Sequence, residues 1–424
     1  LTTFAYNVYD TPYWFSFGFA SGYAGLGSEY DYVEDDDGDF FDFGNDFYEA
    51  DVFDPFFVSQ LFTRTDYDAT NVPDNMVNAD LNNDGADELI VANIDTIDSG
   101  FSILFNQGDG SFDTPVDYVT EVFSSGGTEN PSLDVGDIDG DGNIDLITAN
   151  PETNEVSVFF GDGNGNISIP TILDVGDRPV VTETTDVDSD GTTDIVLINS
   201  EEFDVFYSGD SISVLFNEPS LPVTTLLAGE GVRDVVAADL DGDGDVDLAT
   251  ANELDNTLSV LYNFGNLAFS IPVTVPVGSR PVSIVADDFD GDGSTDLATT
   301  NFEFGTVSVV LNNGDGSFGS ADFYVANDFP STMSSADLDA DGDADLILRN
   351  SVFRGNDTQE GNSISILQNN GDGTFAFPQS FEVGDVPVGL IVEDLDGNGL
   401  LDIATSNFAS QDVTVYLQSL LITT

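Results

Sequence analysis

From about Ala50 onward the chain alternates short runs of β-branched and small apolar residues with breaks of Gly, Asn, Asp or Pro. The runs are too short for helices and show no helical period, so they predict strands joined in hairpins. One order of events repeats. A turn, often with proline (Pro73, Pro179, Pro281, Pro330, Pro387), leads a first strand such as Val282-Ser-Ile-Val-Ala286. An acidic loop follows, then a second strand of the kind Asp247-Leu-Ala-Thr-Ala-Asn252. Third strands are expected at 102–105, 157–160, 213–216, 259–262, 308–311, 365–367 and 414–417. A Gly-Asp-Gly turn (at Gly108, Gly161, Gly314 and Gly371) then introduces a Phe-led fourth strand, as in 318–325. The unit recurs seven times, at intervals near 50 residues, which points to a propeller blade or another stacked unit.

The two ends complement each other. The seventh unit stops without a Gly-Asp-Gly turn or a clear fourth strand. Ahead of the first unit, Phe53-Asp-Pro-Phe-Phe-Val-Ser-Gln60 resembles the fourth strand Phe112-Asp-Thr-Pro-Val-Asp-Tyr118. A ring closed by an N-terminal strand accounts for both facts, whereas an open stack would leave two exposed edges.

Each acidic loop places oxygen side chains at positions 1, 3, 5 and 9 of a nine-residue stretch, of which Asp239-Leu-Asp-Gly-Asp-Gly-Asp-Val-Asp247 is the clearest. The candidate ligands are Asp80, Asn82, Asp84 and Glu88; Asp137, Asp139, Asp141 and Asp145; Asp186, Asp188, Asp190 and Asp194; Asp239, Asp241, Asp243 and Asp247; Asp288, Asp290, Asp292 and Asp296; Asp337, Asp339, Asp341 and Asp345; and Asp394, Asp396, Asn398 and Asp402. Alternating carboxylates on a tight turn converge on one point, and the carbonyl at position 7 adds another oxygen. An EF-hand would need an acid at position 12, where this chain has Val91, Thr148, Leu197, Thr250, Thr299, Leu348 and Thr405. One such loop would be an ambiguous Asp/Gly turn. Seven crowd carboxylates whose repulsion a cation relieves, and many oxygens in flexible geometry favour Ca2+ over Mg2+, about one ion per blade. The first and last loops have three acidic ligands instead of four and are expected to bind more weakly. An Asn also lies thirteen residues after every loop start: Asn93, Asn150, Asn199, Asn252, Asn301, Asn350 and Asn407. These either ring a ligand site or, the reading favoured, cap the turn out of each strand.

Composition narrows the partners. The chain of 424 residues has 80 acidic residues against six basic ones, a net charge of −74. Nothing here neutralises phosphates, so nucleic acid and anionic membranes are excluded as partners, and no apolar run is long enough for membrane insertion. Seven divalent ions would offset only part of that charge, leaving a solvated acidic surface. Cysteine and histidine are both absent, which removes disulfides, thiolate chemistry and imidazole bases. Calcium then takes the place of a disulfide staple.

Residues 1–50 differ from the rest. They are dense in aromatics, among them Trp14, and contain the acid run Glu34-Asp35-Asp36-Asp37-Gly38-Asp39. Extended structure is expected, either packed on the chain's own domain or docking as an arm on a neighbouring subunit.

The unit Asp-x-Asp-Gly-Asp-Gly-x-x-Asp-Leu, with an Asn-ended strand, Ser-Val-Leu-x-Asn and Gly-Asp-Gly-Ser-Phe, resembles the FG-GAP/VCBS repeat over 51–424. That repeat builds the seven-bladed propeller of integrin α-subunits and of many secreted microbial proteins. The resemblance implies an all-β, seven-bladed β-propeller of four-stranded antiparallel blades over 51–424, preceded by the extended segment 1–50. It implies calcium in the hairpin between the first two strands of each blade, and partner loops on the opposite face, the longest being 199–211 and 350–363. The expectation is a non-catalytic, calcium-stabilised, extracellular or cell-surface propeller serving adhesion or a surface assembly or filament. Its partner is a protein or a further copy, engaged through residues 1–50. A glycan-binding propeller, with Phe302, Phe304 and Phe353 stacking on sugars, is the alternative. A carbohydrate-active enzyme is the weaker one, because nearly every acidic pair is already assigned to a metal.

Overall fold

The computed structural model describes residues 5–8, 11–14, 61–69, 72–93, 100–119, 132–151, 153–175, 178–199, 209–217, 223–265, 268–327, 329–352 and 360–419. The chain forms two compact units, Leu1–Pro55 and Phe56–Thr424. In the first, the described residues form one hairpin of β1 (Ala5–Val8) and β2 (Thr11–Trp14), with Ala5 opposite Trp14. The acid run at 34–39, the fourth-strand motif at 53–60, most of the docking-arm segment and Phe353 lie outside the described residues.

The second unit is a β-propeller, and every regular element among its described residues is a strand. After β3 (Leu61–Asp68), the first blade is β4 (Pro73–Ala79), β5 (Glu88–Asn93), β6 (Gly100–Leu104) and β7 (Val116–Val119). The second is β8 (Leu133–Gly136), β9 (Asp145–Asn150), β10 (Glu155–Phe159) and β11 (Thr171–Asp174). A seven-stranded sheet follows: β12 (Pro179–Thr185), β13 (Asp194–Asn199), β14 (Gly209–Leu215), β15 (Thr224–Ala238), β16 (Asp247–Asn252), β17 (Thr257–Leu261) and β18 (Val273–Pro276). Two more blades are β19 (Pro281–Asp287), β20 (Asp296–Asn301), β21 (Thr306–Val310), β22 (Asp322–Val325) and β23 (Pro330–Ala336), β24 (Asp345–Val352), β25 (Glu360–Leu367), β26 (Gln379–Glu382). The last is β27 (Ile391–Glu393), β28 (Asp402–Asn407) and β29 (Asp412–Ser419), with β3 as its outer strand. All pairings are antiparallel.

This corrects the expected count. Among the described residues there are five separate four-stranded blades, not seven, because the units with the Asp186 and Asp239 loops share one sheet. The reason lies at Val232. In four other units a proline opens the first strand opposite the terminal Asn of the second: Pro73 opposite Asn93, Pro179 opposite Asn199, Pro281 opposite Asn301 and Pro330 opposite Asn350. Val232 takes that place opposite Asn252 and is also in register with Gly209 of the preceding unit. Proline has no N–H and fixes φ, so it interrupts a ladder; valine lets β15 run through for 15 residues. The outer strand of the last blade also differs from expectation. It is Leu61–Asp68, paired from Leu61 opposite Ser419 to Asp68 opposite Asp412.

Position within the blade explains the sequence of each strand. Second strands are buried at all six positions in β5, β9, β13, β16, β20 and β28, since they have strands on both edges and neighbouring sheets on both faces. They therefore read as continuous runs of apolar and small residues instead of alternating. Outer strands β11 and β22 are mostly exposed and read as mixed sequences. The core lies between sheets. Ala249, Leu258 and Val275 of the seven-stranded sheet pack on Ile284, Leu297 and Val310 of the next. Met76 and Leu89 of the first blade pack on Ile391, Ala404 and Val413 of the last. First strands touch in succession, β4–β8–β12–β15–β19–β23–β27, and β27 touches β4.

Candidate metal centre

Each acidic loop joins the first strand of a unit to its second, and its hydrogen bonds show why the spacing is fixed. In the loop starting at Asp288, the N–H groups of Asp292 and Gly293 donate to the two carboxylate oxygens of Asp288, at 3.1 and 2.9 Å. Asp292 N–H also reaches Asp290 Oδ1 at 3.1 Å, and Ser294 N–H donates to Asp292 Oδ1 at 2.8 Å. Glycine follows position 5 because φ there is +89° at Gly293 and +95° at Gly244, a left-handed backbone that favours it. The side chains thus fold the loop around themselves, with carboxylate oxygens turned to the same centre.

Oxygens of Asp137, Asp139 and Asp145 lie within 4.8 Å of one another. The same holds for Asp186, Asp188 and Asp194; for Asp239, Asp241 and Asp247; for Asp288, Asp290 and Asp296; and for Asp337, Asp339 and Asp341. Calcium–oxygen bonds run at about 2.3–2.6 Å, so oxygens on opposite sides of one ion are about 4.8 Å apart. The separations fit one ion per group. The structure brings positions 1, 3 and 9 together in four of these loops, while in the Asp337 loop position 5 takes the place of Asp345. Asp141, Asp190, Asp243 and Asp292, at position 5, are exposed and accept the N–H of the residue two places on.

Position 9 is the buried anchor. Asp145, Asp247, Asp296 and Asp402 are wholly buried at the start of their strands. Burial pushes Asp194, Asp247, Asp296 and Asp402 up to about 6, against N–H donors that hold them down. In Asp247 the neighbouring Asp241 and Asp243 push the same way. Asp345 and Glu88 are raised to about 7, again mainly by burial. A carboxylate both desolvated and surrounded by like charge is one whose ionised form a cation would stabilise. Asp339 Oδ1 is buried without a hydrogen-bond partner, an unfilled acceptor inside the Asp337 group.

The end loops are partly self-satisfied. In the first, Asn82 donates Nδ2–H to Glu88 Oε1 at 2.9 Å, and Leu81 N–H donates to Glu88 Oε2 at 2.8 Å. In the last, Asn398 donates Nδ2–H to the Gln418 carbonyl at 2.8 Å, and its Oδ1 accepts Leu400 N–H. Amides thus stand where other loops have a second charge.

The seven asparagines at second-strand ends tie neighbouring strands together, and Asn252, Asn301 and Asn407 also bond across the turn that follows, to Thr257, Thr306 and Asp412. Their amides are buried and donate across to the third strand: Asn93 to Ser102 at 2.6 Å, Asn150 to Ser157 at 2.9 Å, Asn301 to Ser308 at 2.9 Å and Asn407 to Thr414 at 3.0 Å. Asn199, Asn252 and Asn350 do the same to Ser213, Ser259 and Ser365. They are cross-strand clamps. Sequence reading missed another set, the residue two places past the end of most third strands. Asn263 and Asn312 place their N–H groups on Asp247 Oδ1 and Asp296 Oδ1, both at 2.7 Å. The Asn of Ser-Val-Leu-x-Asn was the available signal.

Among solved structures, one similar chain is an Agrocybe aegerita lectin, described as specifically recognising non-reducing terminal N-acetylglucosamine. It is 19% identical with a TM-score of 0.55, over 83% of this chain and 86% of that one. BBS1N, solved in complex with ARL6DN, is 10% identical with a TM-score of 0.57, over 86% and 98%. A functionally unknown protein from Desulfotomaculum acetoxidans is 9% identical with a TM-score of 0.52, over 74% and 88%. At these identities the likeness is one of fold. A search of curated protein sequences returns no significant match. The FG-GAP-like repeat model matches six times, at 80–148, 137–197, 186–250, 239–299, 288–348 and 352–405; the first five each begin at an acidic loop and run through the next, and the sixth contains the Asp394 loop. The chain belongs to the FG-GAP-like repeat family.

Proposed function

We propose that the Phe56–Thr424 unit is a closed ring of seven FG-GAP-like units, held by calcium in the acidic loops, and that it works outside the cell as a non-catalytic adhesion or assembly module. The observation that carries the metal reading is the convergence of three carboxylates in each of five loops, at separations suited to one ion. Asp137, Asp139 and Asp145, and their counterparts, would hold the ion, which would supply positive charge that fixes the hairpin. Two observations support seven units in a ring. The long β15 serves as the outer strand of one unit and the inner strand of the next, and β27 touches β4. Engagement of the acidic groups within the loops, together with the absence of histidine and cysteine, supports a non-catalytic role. The family and the lack of any helix long and apolar enough to cross a membrane, among the described residues, are compatible with secretion.

Native mass spectrometry of the full chain in calcium checks the metal reading. Five or more bound ions, retained against a magnesium excess, are expected; a chain that binds none overturns it. Assembly is assigned to residues 1–50, so their deletion should abolish any higher-order species seen by electron microscopy, and unchanged particles would refute that assignment. Glycan recognition is the second reading, favoured by the lectin of similar fold and by the exposed Phe264 and Phe304. A glycan array without calcium-dependent hits removes it.

A further inference from the structure

The acidic loops are wired to one another. Each position-9 aspartate takes backbone donors from two places, its own loop and the end of its own third strand. Asp247 Oδ2 accepts Leu240 N–H at 2.9 Å, and Asp247 Oδ1 accepts Asn263 N–H at 2.7 Å. The Asn263 side chain then leaves its own unit, donating Nδ2–H to the Val187 carbonyl at 2.9 Å, in the preceding acidic loop. Val187 N–H is in turn fixed to Asp194 Oδ2 at 2.9 Å. Val187 and Asn263 together therefore link the buried anchor Asp194 to the buried anchor Asp247.

The same arrangement continues in both directions. Asn312 joins Asp296 to the Leu240 carbonyl at 2.8 Å, and Asn369 joins Asp345 to the Phe289 carbonyl at 2.9 Å. Gln418 joins Asp402 to the Leu338 carbonyl at 3.1 Å, and Asn217 joins Asp194 to the Ile138 carbonyl. Asn106 reaches the Leu395 carbonyl at 2.8 Å, from the first blade to the last. The chain of bonds changes in the first unit, where Glu88 is held by Leu81 N–H and the Asn82 amide, and at Gly161. Gly161 still donates its N–H to Asp145 Oδ1 at 2.9 Å but has no side chain to reach the first loop, and Gly165 N–H contacts the Leu81 carbonyl instead.

We infer that the acidic loops from Asp137 to Asp402 bind cations as a cooperative set, with the amide side chains of Asn217, Asn263, Asn312, Asn369 and Gln418 transmitting occupancy from each loop to its neighbour. The inference rests on the metal reading above. Physically, an ion that orders one buried carboxylate fixes the N–H groups around it. The Asn that supplies one of them then holds the neighbouring loop's peptide in its binding geometry. The neighbour no longer pays that ordering cost when its own ion arrives, which is positive coupling between sites. These residues position ligands and are not ligands themselves.

The test is calorimetric titration of calcium alone into the chelator-stripped full chain. Wild type should fill steeply. Asn312→Ala keeps the backbone N–H on Asp296 but removes the bridge to Leu240, and should flatten the isotherm and weaken part of it by about 3- to 10-fold, the range of one lost hydrogen bond. Asn312→Gln should restore steepness, because Gln418 makes the equivalent bridge over its longer stem. Asn313→Ala is the control, since Asn313 is exposed and its amide bonds only within its own turn, to Ser317. Should Asn312→Ala fail to fold, Asp290→Ala decides: coupled loops lose one ion and also flatten the remainder. An isotherm that loses one equivalent and is otherwise unchanged overturns the inference. So does an Asn312→Ala curve that superimposes on wild type. A wild-type chain that takes up no calcium refutes the metal reading itself, a result distinguishable from independent binding.

Discussion

Moving the chain from millimolar calcium into excess EDTA is expected to lower its melting temperature by roughly 20 °C or more. Binding to the folded state alone stabilises by about 2.7 kcal/mol per site when free ion exceeds Kd a hundredfold. The five loops with converged carboxylates together then contribute on the order of 10 kcal/mol. That is comparable to the whole stability of an ordinary domain, and there is no disulfide to compensate. Loop folding by the side chains' own hydrogen bonds keeps the hairpins near their shape, so the metal-free chain should retain strand signal by circular dichroism at low temperature while melting early. Differential scanning calorimetry with and without chelator checks this, and coincident melts would contradict it.

The second large effect concerns four acids away from the loops, on the first strands of their units. Burial raises Asp74 and Asp134 to about 7, Glu183 to about 8 and Asp234 to about 6. In Glu183 the nearby Asp134 and Asp234 add to the shift, while in Asp74 the Arg349 guanidinium opposes it. The sign follows from linkage. These groups hold their protons more tightly folded than unfolded, so the folded state is favoured at acid pH and loses stability as pH rises from about 4 through 6 to 8. The chelated chain should therefore melt higher at pH 5 than at pH 8, opposite to the usual salt-bridged carboxylate. Glu183→Gln removes a titrating group without changing shape and should recover about 2 kcal/mol at neutral pH. A melting temperature that rises from pH 5 to pH 8 in chelator, or a Glu183→Gln variant no more stable than wild type at pH 8, would count against the buried-acid account.

Strand order and the acidic loops were readable in the sequence because both depend on local rules. Period-50 recurrence, turn glycines and alternate carboxylates are short-range chemistry, and the structure finds the groups around Asp139, Asp188, Asp241, Asp290 and Asp339. Sheet boundaries were less readable, because one missing proline at Val232 decides whether two units separate or share β15. The outer strand of the last blade was also displaced, from 53–60 to Leu61–Asp68. Strand addition over such a separation is set by register with a distant partner, and local pattern leaves several frames open. Asn263 and its counterparts were visible as a motif, but the carbonyl each one reaches lies in another unit. No short-range rule names it.

β3 has a consequence for how the molecule comes into being. Thr414 bonds Asp66 across 348 residues of chain, and eight consecutive pairs join β3 to β29. During synthesis β3 leaves the ribosome before the blades β4 to β26, and β29, its partner among the described residues, follows them. Until then an edge strand waits unpaired, the condition that invites pairing with a neighbouring nascent chain. Closing so distant a contact adds little to the equilibrium cost, since loop entropy grows only with the logarithm of length, but it delays folding. The order of translation therefore makes the pairing of β3 with β29 a late step among these blades and a point where two molecules are exposed to exchanging strands.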